Sequence, residues 1–114
     1  MEQHKIVIYC RFKEDVEQEY IDDIKDKMDA FVQMTNASVI RSVWEVIPNG
    51  YCSLKFGALL DNCIENGWSM LTYDLSTLHR YKSGALSVID DAAHSGVPIF
   101  FVDSDSALKS IYTL

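Results

Sequence analysis

Short apolar runs alternate along the chain with longer amphipathic stretches. The apolar runs cover residues 5–10, 37–47, 68–73 and 98–102, and their content of β-branched and aromatic residues predicts buried strands. Between them, residues 15–34, 54–66 and 80–95 carry apolar side chains three or four positions apart, which predicts amphipathic helices. Strands that alternate with helices through short loops indicate right-handed βαβ units. The pattern therefore predicts an α/β fold, one domain over residues 1–114 with a mainly parallel four-stranded sheet flanked by helices.

The ends of the predicted helices carry recognisable signals. Asp15 followed by Gln18 forms a plausible capping pair before the first helix, and Gly67 and Gly96 are expected to end the second and third. The first helix and its approach also concentrate eight of the 17 acidic residues of the chain. These are Glu14, Asp15, Glu17, Glu19, Asp22, Asp23, Asp26 and Asp29. We interpret them as a solvated outer face, with an acidic docking face as the alternative.

Composition and charge narrow the class of protein. The chain has 114 residues, 48% of them hydrophobic, which is enough for one core without disulfides or metals. Its formal charge of -7 disfavours non-specific binding of DNA or RNA. Three cysteines without C-x-x-C spacing indicate reduced thiols. With no signal-peptide core and no membrane-spanning segment, we expect a cytoplasmic protein. Because the three histidines have no ligand spacing, no metal or cofactor is expected.

In a sheet of parallel strands, a functional site lies beyond the carboxyl ends of the strands. Those ends are expected at residues 10–13, 48–53, 73–80 and 103–106. The first carries the segment IYCRFK (residues 8–13), the third carries YDLSTLHR (residues 73–80), and SGV (residues 95–97) precedes the fourth strand.

In order and spacing these segments resemble the N-terminal catalytic domain of serine recombinases, the resolvase/invertase family, over residues 5–103. In that family the first strand ends in Tyr-x-Arg-Val-Ser, whose Ser is the nucleophile, and the third runs into Leu-Asp-Arg-Leu-x-Arg. The resemblance implies a resolvase-like fold with flavodoxin-like βαβ order. It also implies that Arg11 and Arg80 take the places of two active-site arginines, and that Lys55 lies near the place of another.

The departures from the family pattern concern its chemistry. Lys13 stands at the place of the nucleophilic Ser, and Ser76-Thr77 replaces the Asp-Arg pair. A protonated amine is a poor nucleophile at neutral pH. Losing one charge-stabilising donor raises a reaction barrier by roughly 3–4 kcal/mol. The resemblance further implies more core, a dimer-forming helix and a DNA-binding region after the fourth strand, and residues 103–114 are too few to supply them. We therefore expect a pseudoenzyme that does not bind DNA directly by itself.

Each candidate site residue also has a structural interpretation. Arg11, Lys55 and Arg80 could share an anion, or the arginines could pair with Asp74, Asp103 or Asp105. Cys10 beside Arg11 could be reactive, but a cysteine that ends a buried strand more often acts as a small hydrophobic residue. Ser76 and Thr77 fit the loop and N-cap of the helix that follows Arg80 better than a catalytic pair with His79. An aromatic set could stack on bases but fits the core better: Trp44, Tyr51, Trp68 and Tyr81.

Three functions remain open. We favour a catalytically inactive interaction or regulatory module, of a mobile element or phage, that self-associates or modulates a DNA-processing protein partner, with no membrane role. The enzymatic alternative is serine-recombinase-type strand exchange or phosphodiester chemistry, in a composite site or with Ser53 or Ser76 as substitute nucleophile. The third is a domain that binds a nucleotide or another small anion at the strand ends.

Overall fold

The computed structural model describes residues 4–47, 54–79 and 82–103. Four parallel strands form one sheet in the order β2-β1-β3-β4. The strands are β1 (Lys5–Phe12), β2 (Ser38–Val46), β3 (Ser69–Thr72) and β4 (Ile99–Phe101). The helices are α1 (Gln18–Thr35), α2 (Leu54–Asn66), α3 (Leu75–Leu78) and α4 (Lys82–His94). The predicted α/β class and the parallel four-stranded sheet are confirmed.

The two central strands of the sheet, β1 and β3, lie in the middle of the hydrophobic core. β1 is buried at six of its eight positions and β3 at all four, because helices cover both faces of the sheet. On one face, Val7, Tyr9 and Met70 pack with Leu59 of α2 and Ala85 of α4. On the opposite face a second cluster joins the sheet to α1, and its members are Ile6, Ile8, Cys10, Phe12, Ile24, Met28 and Leu71. The first face is called the α2 face below, and the second is called the α1 face.

The predicted start of the first helix is wrong. α1 begins at Gln18 after the N-cap residue Glu17, and within the described residues Glu17 makes no side-chain capping bond. Asp15 lies instead in a tight turn in which the Val16 amide donates to the Lys13 carbonyl at 3.2 Å. The Gln18 side-chain amide donates to Asp22 at 2.9 Å, one turn further along the helix. The pair predicted to cap the helix therefore does not do so.

Glycines end the second and fourth helices, as the sequence predicts. Gly67 has φ +70° and Gly96 has φ +81°, values in the left-handed region that glycine adopts without a steric cost. After Gly96, the Val97 amide donates to the Ala92 carbonyl at 2.9 Å and turns the chain into β4.

The segment between β3 and β4 holds two helices rather than the one predicted over residues 80–95. The single turn of α3 directly follows β3, and α4 begins only at Lys82. Leu75 and Leu78 of α3 are buried under the α2 face, so this turn packs as part of the core. In the described ranges, no helix is both long and apolar enough to cross a membrane.

Candidate functional site

The carboxyl ends of β1, β3 and β4 lie side by side at one edge of the sheet. The Asp103 amide donates to the Tyr73 carbonyl at 2.9 Å just beyond β4 and β3. On the other side of β1, the Ile47 amide donates to the Phe12 carbonyl at 2.9 Å. This edge carries Arg11, Lys13, Ser76 and Thr77, so the topology brings these four predicted site residues to one rim.

Arg11 is held by the aromatic residues beneath it. Its Nε donates to the Tyr9 hydroxyl at 3.0 Å. Its guanidinium carbon lies 5.6 Å from the centre of the Tyr9 ring and 5.9 Å from that of Phe56, within cation–π range. Tyr9 and Phe56 themselves pack edge to face at 4.8 Å. Since Tyr9 and Arg11 are two residues apart on a strand, both point to the α2 face.

A carboxylate from the neighbouring strand continues this network. The Tyr9 hydroxyl donates to Glu45 Oε2 at 2.7 Å, and Glu45 lies opposite Arg11 in the β1–β2 register. Tyr9 is buried, so a polar partner for its hydroxyl is required. Of the acids considered from the sequence as partners of Arg11, Asp74 and Asp103 follow β3 and β4, and Asp105 lies outside the described residues. The carboxylate joined to Arg11 through Tyr9 comes instead from β2.

Lys13 lies immediately after β1 and its side chain is exposed. Its carbonyl closes the turn that leads into α1. The Lys13 side chain therefore reaches solvent at this rim.

Ser76 and Thr77 belong to the start of α3. Asp74 is the N-cap residue, and its Oδ1 accepts from the Thr77 amide at 3.0 Å. In return the Asp74 amide donates to Thr77 Oγ1 at 2.9 Å, which completes a capping box. The Ser76 hydroxyl donates to the same carboxylate at 2.7 Å. Both residues therefore take part in a helix start, but the prediction that they lead into the helix after Arg80 is wrong, because they lie within α3 and its N-cap is Asp74.

Ser76 and Arg11 face opposite sides of the sheet. The Tyr20 hydroxyl of α1 lies next to Asp74 and Ser76, and burial together with the Asp74 charge raises the pKa of Tyr20. Ser76 therefore belongs to the α1 side of the rim, whereas Arg11 packs on Phe56 at the α2 side. Although Ser76 and Arg11 both follow strand ends at this rim, their side chains have different neighbours.

Lys55 lines a separate groove between α2 and β2. The groove has a volume of about 540 Å³ and is bounded by residues 41–44 of β2 and by Lys55, Ala58 and Leu59 of α2. Arg41 is the second cation on its wall. Arg80, the third residue of the anion pocket expected from the sequence, lies outside the described residues, as do Ser53, Tyr51, Tyr81 and Asp105. A shared anion pocket of Arg11, Lys55 and Arg80 thus stays a prediction.

Cys10 behaves as a core residue. It is fully buried on the α1 face, and its sulfur lies 3.8 Å from the Thr72 hydroxyl. Burial raises the pKa of the Cys10 thiol, so the thiolate that a reactive cysteine needs is disfavoured. Trp44 and Trp68 also contact the core, and Trp44 stacks on Phe12 at 6.4 Å. Within the described ranges, no three His, Cys, Asp or Glu residues are arranged to hold a metal ion.

Three residues were not identified from the sequence. Tyr9 and Glu45 belong to the hydrogen-bond network of Arg11, and Arg41 lines the groove beside Lys55. The two-residue spacing of Tyr9 and Arg11 on a strand was a usable signal, since it places both on one face. Glu45 and Arg41 could be located only once the parallel register of β1 and β2 was known.

Comparison with known proteins bears on the fold. The sequence matches no protein-family model and none of the curated proteins. Among solved structures, the chain is similar to the N-terminal catalytic domain of TP901-1 integrase, with 20% identity and a TM-score of 0.69, over 95% of this chain and 87% of that one. It is also similar to the C-terminal catalytic domain of ISC1926 TnpA, an IS607-like serine recombinase, with 16% identity and a TM-score of 0.67, over 96% and 78% of the two chains.

A third similar structure is a resolvase family site-specific recombinase from Streptococcus pneumoniae. It shares 18% identity and a TM-score of 0.71, over 91% of this chain and 74% of that one. The chain therefore has the fold of serine recombinase catalytic domains, and the resemblance seen in its motifs is confirmed at the level of the fold.

Proposed function

We propose that this protein is a catalytically inactive interaction or regulatory module built on the serine recombinase fold. In this proposal it acts by binding, either to itself or to a DNA-processing protein of a mobile element or phage. The observation that carries the proposal is Lys13, an exposed amine at the position where the family's motif has its nucleophilic serine. Strand exchange needs a hydroxyl that forms a covalent bond to DNA phosphorus, and a protonated amine cannot supply it.

The contacts of Arg11 support the same proposal. A phosphate-binding arginine must present its N–H groups to the ligand. Here the Nε–H of Arg11 is used by Tyr9, and the guanidinium lies within cation–π range of the Tyr9 and Phe56 rings. Bidentate binding of a scissile phosphate through Nε and one Nη would require the hydrogen bond to Tyr9 to break.

Ser76 and Thr77, which stand in place of the family's Asp-Arg pair, also support the proposed function. Thr77 is buried and its hydroxyl is part of the capping box of α3. Ser76, the described residue that could substitute as nucleophile, donates to Asp74 and lies on the side of the rim away from Arg11. The formal charge of -7 adds a general electrostatic cost to approaching DNA.

The test is covalent capture of DNA. Purified protein would be incubated with sheared genomic DNA of the organism that encodes it, denatured, and assayed for protein that stays attached to DNA. We expect no adduct from the wild type. We also expect none from Lys13→Ser, because restoring the hydroxyl restores neither the Asp-Arg pair nor the Nε–H of Arg11 that Tyr9 uses.

The control is an active serine recombinase with DNA that carries its own site, which must give adducts in the same assay. An adduct formed by the wild-type protein, lost in Ser76→Ala or Arg11→Ala, would contradict the proposal and favour the enzymatic alternative.

A further inference from the structure

β2 is an edge strand with unusual exposure of apolar side chains. Val39, Ile40 and Val46 are 39%, 41% and 55% exposed, and Arg41 and Ser42 beside them are also exposed. Within the described ranges β2 pairs with β1 alone. Edge strands usually carry charges, prolines or short lengths that prevent pairing with other chains. This nine-residue strand has two charged residues, Arg41 and Glu45, and one bulge near its start.

The direction of the backbone groups on β2 follows from its register. The Ile47 amide donates to the Phe12 carbonyl, so odd-numbered residues from Arg41 onward direct their polar groups to β1. Even-numbered residues, including Ser42 and Trp44, direct their N–H and C=O groups away from β1. From Arg41 to Val46 the pairing with β1 is unbroken, so this outward row of backbone groups is regular.

The sequence of β2 is nearly self-complementary about Val43. Positions at equal distance on either side are Arg41 with Glu45, and Ile40 with Val46. We propose that β2 pairs antiparallel with β2 of a second copy of this chain, with a two-fold axis beside Val43. Arg41 of each copy then lies opposite Glu45 of the other, Ile40 at the bulge lies near Val46, and the two sheets join into one of eight strands.

Backbone geometry and charge select this register. The outward-directed residues must face each other, so the axis can lie beside Ser42, Val43 or Trp44. An axis beside Ser42 places Arg41 opposite Val43, and an axis beside Trp44 places Arg41 opposite Ile47. Only the axis beside Val43 pairs each arginine with a glutamate.

In this register Arg41 and Glu45 form a non-hydrogen-bonded pair, in which opposite side chains are closest. Glu45 already accepts from Tyr9, and a carboxylate has lone pairs for further donors. The groove beside residues 41–44 leaves this stretch of β2 accessible on the α2 face. This proposal rests on the proposed function. It names the surface, β2, and the partner, a second copy of the chain, through which a binding module would act.

Charge exchange tests the pairing. We expect the wild type to sediment as a concentration-dependent dimer of 13.0 kDa chains. Arg41→Glu places two like-charge pairs in every dimer, so its dimer dissociation constant should rise about tenfold or more. Glu45→Arg should do the same. A mixture of the two variants should form heterodimers, because both cross-strand pairs become glutamate with arginine again.

The matched charge control is Lys13→Glu, which makes the same change in net charge at an exposed position outside β2 and should dimerise like the wild type. Because Glu45→Arg also removes the partner of Tyr9, circular dichroism must show that it folds. If it does not, Val46→Lys on β2 is compared with Phe100→Lys on the opposite edge strand, where Phe100 is 45% exposed. Only the β2 variant should then weaken the dimer.

Two results would overturn the pairing. One is a wild type that stays monomeric at the highest soluble concentration, which would mean that another chain or segment covers β2. The other is a dimer that Arg41→Glu leaves unchanged and that the mixture does not strengthen. DNA capture is measured separately on the same preparations, so a dimer that forms DNA adducts would refute the proposed function and leave the pairing intact.

Discussion

The Thr77 hydroxyl joins three groups at the carboxyl end of β3. It accepts from the Asp74 amide at 2.9 Å, contacts the Asp74 carbonyl at 2.9 Å and lies 3.0 Å from the Thr72 hydroxyl. Thr72 and Thr77 are both buried, so their hydroxyls depend on these partners rather than on water. At this position, where the family's motif has part of its Asp-Arg pair, the side chain serves the stability of the rim.

Replacing Thr77 by valine tests that role. Valine fills the same space but leaves the buried Thr72 hydroxyl and the Asp74 amide without this partner, at a cost of about 2 kcal/mol of unfolding free energy. The neighbouring exposed Ser76→Ala removes one hydrogen bond to Asp74 and should cost less than about 1 kcal/mol. Urea denaturation of both variants measures the difference. Equal losses would contradict the assignment.

Much of this rim could be predicted from residue types, and the rest could not. The sequence correctly indicated helix-start chemistry for Ser76 and Thr77, but it assigned them to the wrong helix and did not identify Asp74 as the N-cap. The partners of Arg11 were not predictable, because they depend on the strand register and on the entry of Phe56 from α2. A sequence pattern reports which side chains reach the rim, while packing decides which of them remain available to a ligand.

At the scale of elements, the His79 ring just after α3 lies close to the backbone of α4 at Gly84. A Cβ atom at Gly84 in the first turn of α4 would collide with the imidazole of His79, which follows α3. Gly57 occupies the matching first turn of α2, where a Cβ would meet nothing within 4 Å. The absence of a side chain at Gly84 therefore lets the His79 ring lie against the helix.

The two glycines give a matched pair of alanine substitutions. Gly57→Ala should raise the free energy of unfolding by about 0.5–1 kcal/mol, because alanine favours the helix and fits the open space. Gly84→Ala should show no such gain or should destabilise, since the His79 ring must move. Thermal denaturation of the two variants checks this. A gain at Gly84 equal to that at Gly57 would show that His79 does not pack there.

The order of helices and strands was predictable because each has its own hydrophobic period. The residues 54–66 predicted for α2 match the structure, and both glycine stops are confirmed. The separate turn of α3 was missed because four residues are too few to show a period. The exposure of β2 was also missed. A run of Val, Ile and Trp predicts a buried strand, and only the sheet order shows that this one lies at an edge.

At the scale of the whole molecule, likeness of fold does not decide the chemistry of the site. The chain has the architecture of serine recombinase catalytic domains, with TM-scores of 0.67–0.71 to three of them. Its rim carries an exposed lysine, an arginine engaged by aromatic residues and a capped helix start. A fold can keep its packing while the site changes, because the core and the strand ends are under different physical constraints.

The most direct test of this account is a DNA titration followed by NMR on the Arg11 side chain. Its Nε–H donates to Tyr9, so it should give a protected signal that Arg11→Lys removes. We predict that duplex DNA, including fragments that flank the protein's own gene, leaves this signal and the amides of residues 11–13 and 74–78 unchanged. Saturable shifts concentrated at these residues would contradict the account, since they would mean that the rim still binds the phosphodiester backbone.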